Sequence, residues 1–402
     1  MRATFRRLFR SRIAGCHWWL VHQCFAWLPS CFAICAFLVA TRTIPAATPD
    51  PGIERPLVLN YSDRNPRNSE GDFIKLKDGR ILYVYTHFTD GGYDESSAHL
   101  AGRYSSDQGK TWTTEDTLVL PNEGGQNVMS VSFLRLESGP IALFYLRKNS
   151  ITDCRPLMRT SSDEARTWSK PTLCIDEVGY NVLNNGRAVQ LKSGRIVLPI
   201  GWHNRPGQKR PDWNGEIMCY LSDDEGRTWR RSKSVMKGYA EGGKRIATQE
   251  PGVVELKDGR LMMFVRSDAG SQQLSYSSDG GDTWSPLKSS NIIAPLAPAS
   301  IKRIPKTGDL LLVWINHENI SPALRGKRTP LCVAISRDEG RTWERTKPIE
   351  DDPLGWYGYT AIFFTDDDHV LLSHGAGHWP EKRLLATTQI TRFSLDWLYR
   401  RK

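Results

Sequence analysis

Between Ile13 and Thr41 the sequence has no Lys, Arg, Asp or Glu, and no acid occurs before Asp50. Arg2, Arg6, Arg7, Arg10 and Arg12 precede that uncharged run. A basic head before an apolar stretch reads as an export signal or an N-in membrane anchor. His22, Gln23 and Pro29 weaken it as a stable span, and Ala40, Ala46 and Ala47 offer small-residue cleavage points, which favours the signal. Residues 1–48 are therefore set apart from a body spanning 49–402. The segment also holds six arginines, so the body carries 48 basic (54 − 6) against 44 acidic residues. Only +4 of the formal +10 belongs to it, and the high pI does not imply a nucleic-acid partner. The expected localisation is periplasmic, secreted or N-terminally anchored, with membrane contact only through an uncleaved N-terminal segment.

Metal-ligand spacing is also lacking. Four of the eight cysteines (Cys16, Cys24, Cys31, Cys35) lie in the export segment, and the others, Cys154, Cys174, Cys219 and Cys332, form no C-x-x-C pair. His87, His203, His374 and His378 are scattered. No catalytic metal and no cofactor are expected. Helical periodicity is weak throughout, and no second domain or long linker follows Pro51.

What is present is repetition. "SSDQGKTW" (Ser105), "SSDEARTW" (Ser161), "SDDEGRTW" (Ser222), "SSDGGDTW" (Ser277) and "SRDEGRTW" (Ser336) share the pattern S-x-D-x-G-x-T-W, with Ala165 replacing Gly in the second copy. Asp and Ser are expected to bond turn amides, Gly to supply positive φ, and Trp to enter the next strand as a buried plug. Interleaved with these boxes are six strand–turn–strand units: "LKDGRIL" (Leu76), "LESGPIAL" (Leu136), "LKSGRIVL" (Leu191), "LKDGRLMM" (Leu256), "IPKTGDLLLV" (Ile304) and "FTDDDHVLL" (Phe364). Two hairpins per period make four strands, the unit of a propeller blade, and such sheets must stack to bury both faces. The expected fold is all-β: a six-bladed β-propeller of four-stranded antiparallel blades. The last unit lacks a box. Its outer strand is expected from "RPLVLNYS" near the start or "LLATTQITRFSLDWL" near the end. Cys154 and Cys174 flank the second box at similar distances, on paired strands, so either a cross-strand disulfide or two neighbouring thiols fits.

Aligning the six hairpins on their turns and stepping eight residues upstream gives Glu70, Ser130, Asn185, Glu250, Ala299 and Tyr359. First strands line the axis of a propeller, so these side chains should ring one mouth of its channel. Arg266 stands eight residues after the turn whose first strand begins near Glu250, which sets an acid against a base.

Five boxes on a six-bladed propeller behind an export signal resemble the sialidase superfamily over roughly residues 53–400. The resemblance implies a Tyr nucleophile, a Glu that takes its proton, an Asp acid and three Arg that hold the substrate carboxylate. It places the nucleophile at Tyr359 in "YGYTAIFF", its base at Glu250, and the second and third Arg at Arg266 and Arg328. The acid falls in "DGGYDESSAHLAGRYSSD", at Asp94 with Asp90 as neighbour. The family's first Arg belongs at or near Glu70. Here an acid stands there, with Arg64 and Arg67 nearby and out of register.

The residue types suit the chemistry. A carboxylate nucleophile is repelled by a carboxylate on the anomeric carbon, whereas a neutral phenol is not, and sialidases are an exception to the two-carboxylate rule. Phenol needs a base beside it, and Arg binds a carboxylate through parallel bonds. Arg147, Lys148, Arg187 and His203 flank inner strands and are expected to line the mouth. Trp202, Trp213, Trp356 and Trp379 can stack on sugar rings. Three readings follow for a glycan partner: an exo-glycosidase acting on terminal acidic sugars; a polysaccharide lyase in which Tyr359 or His203 abstracts a proton beside a uronate; and a glycan-binding module without turnover.

Overall fold

The computed structural model describes residues 50–401; the basic and apolar N-terminal run lies outside them. Among the described residues the fold is all-β. The single α-helix, Leu395–Tyr399, is capped by Ser394, whose side chain accepts from the Trp397 N–H. No helix among them is long and apolar enough to cross a membrane.

The second strand of each hairpin contains a buried apolar run, such as "ILYVY" from Ile81 and "LLLVWI" from Leu310. Such strands are buried on both faces, which accounts for the missing inside–outside alternation. Their hairpin turns repeat one pattern, illustrated by Gly259, at φ 83°, donating to the Leu256 carbonyl. Four sheets have four antiparallel strands. The first contains Asn68–Lys75, Ile81–Phe88, Ala98–Ser105 and Thr117–Leu120. Another runs Thr248–Glu255, Leu261–Ser267, Ser271–Ser277, Lys288–Ile293, and the next Ser300–Arg303, Leu310–Ile315, Leu331–Ser336, Glu344–Glu350. The last has the order Glu54–Leu59, Thr388–Ser394, His369–His378, Gly355–Phe364. Both proposed end segments are thus used. The N-terminal one is the outer strand, with Leu57 paired to Ile390, and the C-terminal one is the strand inside it.

The second and third hairpin groups differ from the expected pair of separate sheets. They share one nine-stranded sheet, because the third group's inner strand is broken into Tyr180–Val182 and Val189–Gln190. Tyr180 pairs in parallel with Cys154 of the preceding group and antiparallel with Asn204 of its own. The intervening Asn184–Arg187 turns across to the second group, where the Gly186 N–H donates to the Val131 carbonyl.

Apolar side chains fill the spaces between groups. One cluster joins Val254, Met262 and Phe264 to Ile301, Leu312 and Ala334. Another joins Phe73, Tyr83 and Tyr85 of the first sheet to Ala361, Leu371 and Ile390 of the last. Neighbouring groups are packed together throughout, including the last against the first.

The boxes add a second tie. In each copy the Asp carboxylate accepts from the Thr N–H and hydroxyl, as Asp224 does from Thr228 at 2.9 and 2.6 Å. The residue after the Asp lies at positive φ, and in every copy but the fourth, where it is Gly280, its side chain reaches into the previous group's hairpin turn. Glu164 accepts from the Lys77 N–H, Glu225 from Ser138, Glu339 from Lys257, and Gln108 from Asp366 of the last group. The indoles do less plugging than expected. Trp284 is buried, and Trp112, Trp168, Trp229 and Trp343 are only partly covered.

Cys154, Cys174, Cys219 and Cys332 are free and buried, so the disulfide alternative is not what forms. The register gives the reason. Leu157 faces Leu173 and Met158 faces Thr172, and the Cys174 N–H donates to the Pro156 carbonyl, which leaves Cys154 two residues past the pairing position. Burial raises both thiol pKa values, to about 12 for Cys154.

Candidate active site

Four inner strands are interrupted at the same place. Register shifts fall between Ser69 and Asp72, Met129 and Ser132, Gln249 and Gly252, and Gly358 and Ala361. Each holds a left-handed non-glycine residue: Glu70 (φ 56°), Ser130 (59°), Glu250 (46°) and Tyr359 (58°). A bulge re-aims a side chain out of the alternating pleat, and a non-glycine residue in this region costs on the order of 1–3 kcal/mol. These are four of the six positions picked by hairpin alignment.

Hydrogen bonds tie these six positions to one another or to their immediate neighbours. Ser130 Oγ donates to Glu70 Oε2. Asn185 Nδ2 donates to the carbonyls of Gly71 (2.9 Å) and Tyr359 (3.0 Å). Arg187 donates to the Ala299 carbonyl at 2.6 Å, and Ser300 Oγ to the Thr360 carbonyl at 2.6 Å. The Tyr359 hydroxyl lies 3.4 Å from Glu250 Oε1.

On one side of this mouth Glu250 Oε1 also accepts from Arg266 Nη1 at 2.8 Å. The backbone pairing differs from the symmetric hairpin expected from sequence. Arg266 stands opposite Gln249, and Glu250 occupies the bulge, from which its side chain reaches the guanidinium. Arg328 is buried and stacks over the Tyr359 ring (5.3 Å) and the Trp356 ring (4.9 Å). Burial, then the Glu250 charge, push the Tyr359 pKa up against the opposing pull of Arg328 and Arg266. The phenol is therefore neutral near pH 7, with the Glu250 carboxylate within reach of its hydroxyl.

On the other side lies Arg67, only 2% exposed. Its Nη1 contacts Asp94 Oδ1 at 2.5 Å, Nη2 contacts Glu70 Oε1 at 3.1 Å, and Nε contacts Ser69 Oγ at 3.1 Å. The Glu70 carboxyl is raised to about 7, chiefly by burial, with Arg67 opposing and the Asp94 charge adding to the rise. Burial pushes the Asp94 carboxyl up as well, but Arg67 and Lys148 outweigh it and hold it below its ordinary value. Asp94 stays 54% exposed by side chain. The Asp94 carbonyl accepts from Lys148 Nζ (2.9 Å) and Asn127 Nδ2 (2.7 Å).

The remaining expected residues divide. Arg187 is buried beneath the mouth, over the Phe264 ring, and burial lowers it to about 10. His203 is buried with Nδ1 3.0 Å from the Asp212 carbonyl and its ring against Trp213. Burial lowers its pKa, while the charge of nearby Glu250 acts the other way. Arg147 lies on the strand face opposite to Lys148, near Asp153, so Lys148 is the member of that pair that reaches the Asp94 loop. Asp90 braces the same loop by accepting from the Ser97 N–H. Trp379 packs edge-on to Trp356, Trp213 is exposed, and Trp202 lies under Arg205. Lys148 and Ser130 were expected at the mouth from sequence, but without the partners they have there. Strand parity is the signal that separates Lys148 from Arg147, and the shared register is what set Ser130 beside Glu70. Among the described residues no cluster of three His, Cys, Asp or Glu could hold a metal ion.

Residues 88–378 match the model of a family described as a BNR repeat-like domain. A sialidase of Micromonospora viridifaciens is 24% identical over 77% of this chain and 50% of its own length. A Clostridium perfringens sialidase is 26% identical over 57% of this chain and 64% of its own. The chain thus spans between about half and two thirds of these two curated relatives. Among solved structures, a Trypanosoma rangeli sialidase in complex with 2,3-difluorosialic acid, described as a covalent intermediate, matches 87% of this chain and 60% of its own with TM-score 0.66 and 17% identity. A protein of unknown function from Dyadobacter fermentans matches 86% of this chain and all of its own with TM-score 0.64 and 18% identity.

Proposed function

The chain belongs to the BNR repeat-like family of the sialidase superfamily, and from that premise we propose an exported exo-glycosidase that removes a terminal acidic sugar from glycans. The reading takes the hairpin groups as six blades around one channel, and residues 1–48 as the export signal or anchor. The observation that carries it is the Tyr359 hydroxyl beside Glu250, with Arg266 and Arg328 packed on the same pair.

In this reading Tyr359 attacks the anomeric carbon as Glu250 accepts its proton, and a covalent glycosyl intermediate forms that water then hydrolyses. Arg266 stabilises the Glu250 carboxylate and, with Arg328, holds an anionic group of the sugar. Asp94 protonates the departing oxygen. It is a carboxylate in the free protein, and its exposed side chain loses water when a sugar covers it, which raises its pKa toward the range an acid needs. A recess of about 300 Å³ bounded by Arg67, Gly92, Tyr93 and residues 381–386 adjoins Asp94 and offers room for the leaving group.

The test is turnover of aryl glycosides of sialic and uronic acids by the wild type and by Tyr359→Phe. Release of reducing sugar that disappears in the variant supports the reading. Full activity in the variant removes Tyr359 from the chemistry. A new absorbance from an unsaturated product identifies a lyase, and binding without product a lectin-like module.

A further inference from the structure

The arginines at the mouth are not equivalent. Arg67 has every nitrogen engaged: Nε on Ser69, Nη1 on Asp94 and the Gly92 carbonyl, and Nη2 on Glu70. It cannot grip a ligand carboxylate without leaving two acids behind. Arg266 shares one nitrogen with Glu250, and Arg328 has ring contacts and no carboxylate partner. The mouth is therefore polarised. One side holds two arginines and one acid, and the other holds one arginine and two acids. Glu70 creates the second side. It sits in a bulge like those of Glu250 and Tyr359, is 7% exposed, and is fixed by Arg67 on one oxygen and Ser130 on the other.

Resting on the proposed glycosidase reading, we propose that Glu70 is a specificity-determining residue: it withholds Arg67 from the substrate, leaves the sugar's anionic group to Arg266 and Arg328 alone, and favours a neutral hydroxyl on its own side of the mouth. A sugar whose carboxylate must lie between all three arginines meets a like charge there. An acidic sugar whose carboxylate reaches only the Arg266–Arg328 side does not.

Glu70 also gives the preference a pH dependence. The groups around it are Arg67 beside it, Ser130 from the second group, Asp94 from its loop with Lys148 behind, and Glu250 and Tyr359 across the mouth; Tyr180 and Cys154 lie further back. Burial pushes its carboxyl up to about 7. It is neutral below that value and anionic above it, so affinity for a sugar whose carboxylate lies among all three arginines is present at lower pH and lost as pH rises through the Glu70 transition.

The experiment is calorimetric binding of N-acetylneuraminic acid and its methyl ester to full-length protein carrying Tyr359→Phe, which suppresses turnover, with and without Glu70→Gln, from about pH 6 to about pH 8. Gln keeps an acceptor for Arg67 and a partner for Ser130. The expected result is acid binding about tenfold weaker at the high end than at the low end with Glu70 in place, a flat profile with Gln, and no slope for the ester in either. Equal acid binding and equal slopes in the two proteins overturn the assignment to Glu70 and leave the glycosidase reading standing. Failure of both proteins to bind the acid while they bind neutral sugars overturns the anion-binding reading and this inference with it. If Glu70→Gln does not fold, the profile with Glu70 in place decides, and a flat one overturns the inference.

Discussion

At the box turns the left-handed residues include Gln108, Glu164, Glu225 and Glu339; at the mouth they are Glu70, Ser130, Glu250 and Tyr359. The backbone device is the same and its use is opposite. At the boxes the side chain turns toward a backbone amide of the neighbouring group, and the same bond recurs from copy to copy. At the mouth the chemistry changes from one strand to the next, and buried polar atoms are left without partners, among them Glu250 Oε2, Arg266 Nε and Arg328 Nη1. Strain answered by a repeated bond builds the fold. Strain that leaves polar atoms waiting is what a ligand-binding site requires.

The largest expected effect tests the mouth. Tyr359→Phe or Glu250→Gln should lower kcat by about 10²- to 10⁴-fold, the usual worth of a positioned proton acceptor, with the urea midpoint little changed. A variant that loses stability and activity in proportion would make the mouth a packing feature instead. Next in size, Asp224→Ala removes the acceptor of the Thr228 N–H and hydroxyl and of Ser222 Oγ. The loss should be about 1–3 kcal/mol of unfolding free energy, read by urea denaturation, with kcat per folded molecule unchanged.

A smaller effect sharpens the comparison within the boxes. Four copies place glycine at the second left-handed position, at φ 82–92°, and the second copy places Ala165 there at 66°. Ala165→Gly should raise stability by roughly 1 kcal/mol, since the strained conformation costs an L side chain about that much. A loss of stability would mean that unfolded-chain entropy outweighs the strain. The smallest effect is electrostatic. Asp107, Asp163, Asp224, Asp279 and Asp338 all lie below the ordinary carboxylate value, through hydrogen bonds from their own turns. Depressed folded-state values add stability above the unfolded carboxylate range and lose it as pH falls through the folded values. Unfolding midpoints should thus drop on acidification below about pH 4, and Asp224→Ala should flatten part of that drop.

Turn chemistry is local, which is why the six hairpins, five boxes and mouth register could be read from short motifs. A fixed count from the turn carried Glu250 and Tyr359 to the same level because their inner strands, like those of Glu70 and Ser130, are interrupted alike. What escaped depends on tertiary detail. The break after Val182, and its bridge to Cys154, follow from a crossing segment that no strand pattern announces. The two-residue offset separating Cys154 from Cys174 is set by the outer strand's register. Arg67 looked out of register because its backbone is; its side chain, carried past Phe88, reaches the mouth regardless.

The sheet that carries Tyr359 takes its outermost strand from the opposite end of the chain, through Leu57 and Ile390. A ribosome halted before Thr388 has therefore already made Tyr359, Glu250 and the arginines around them, yet holds them in an unfinished molecule with two open edges. Trimming the last strand would cut the link between Glu54–Leu59 and the rest of the sheet, and so act on Tyr359 from a distance.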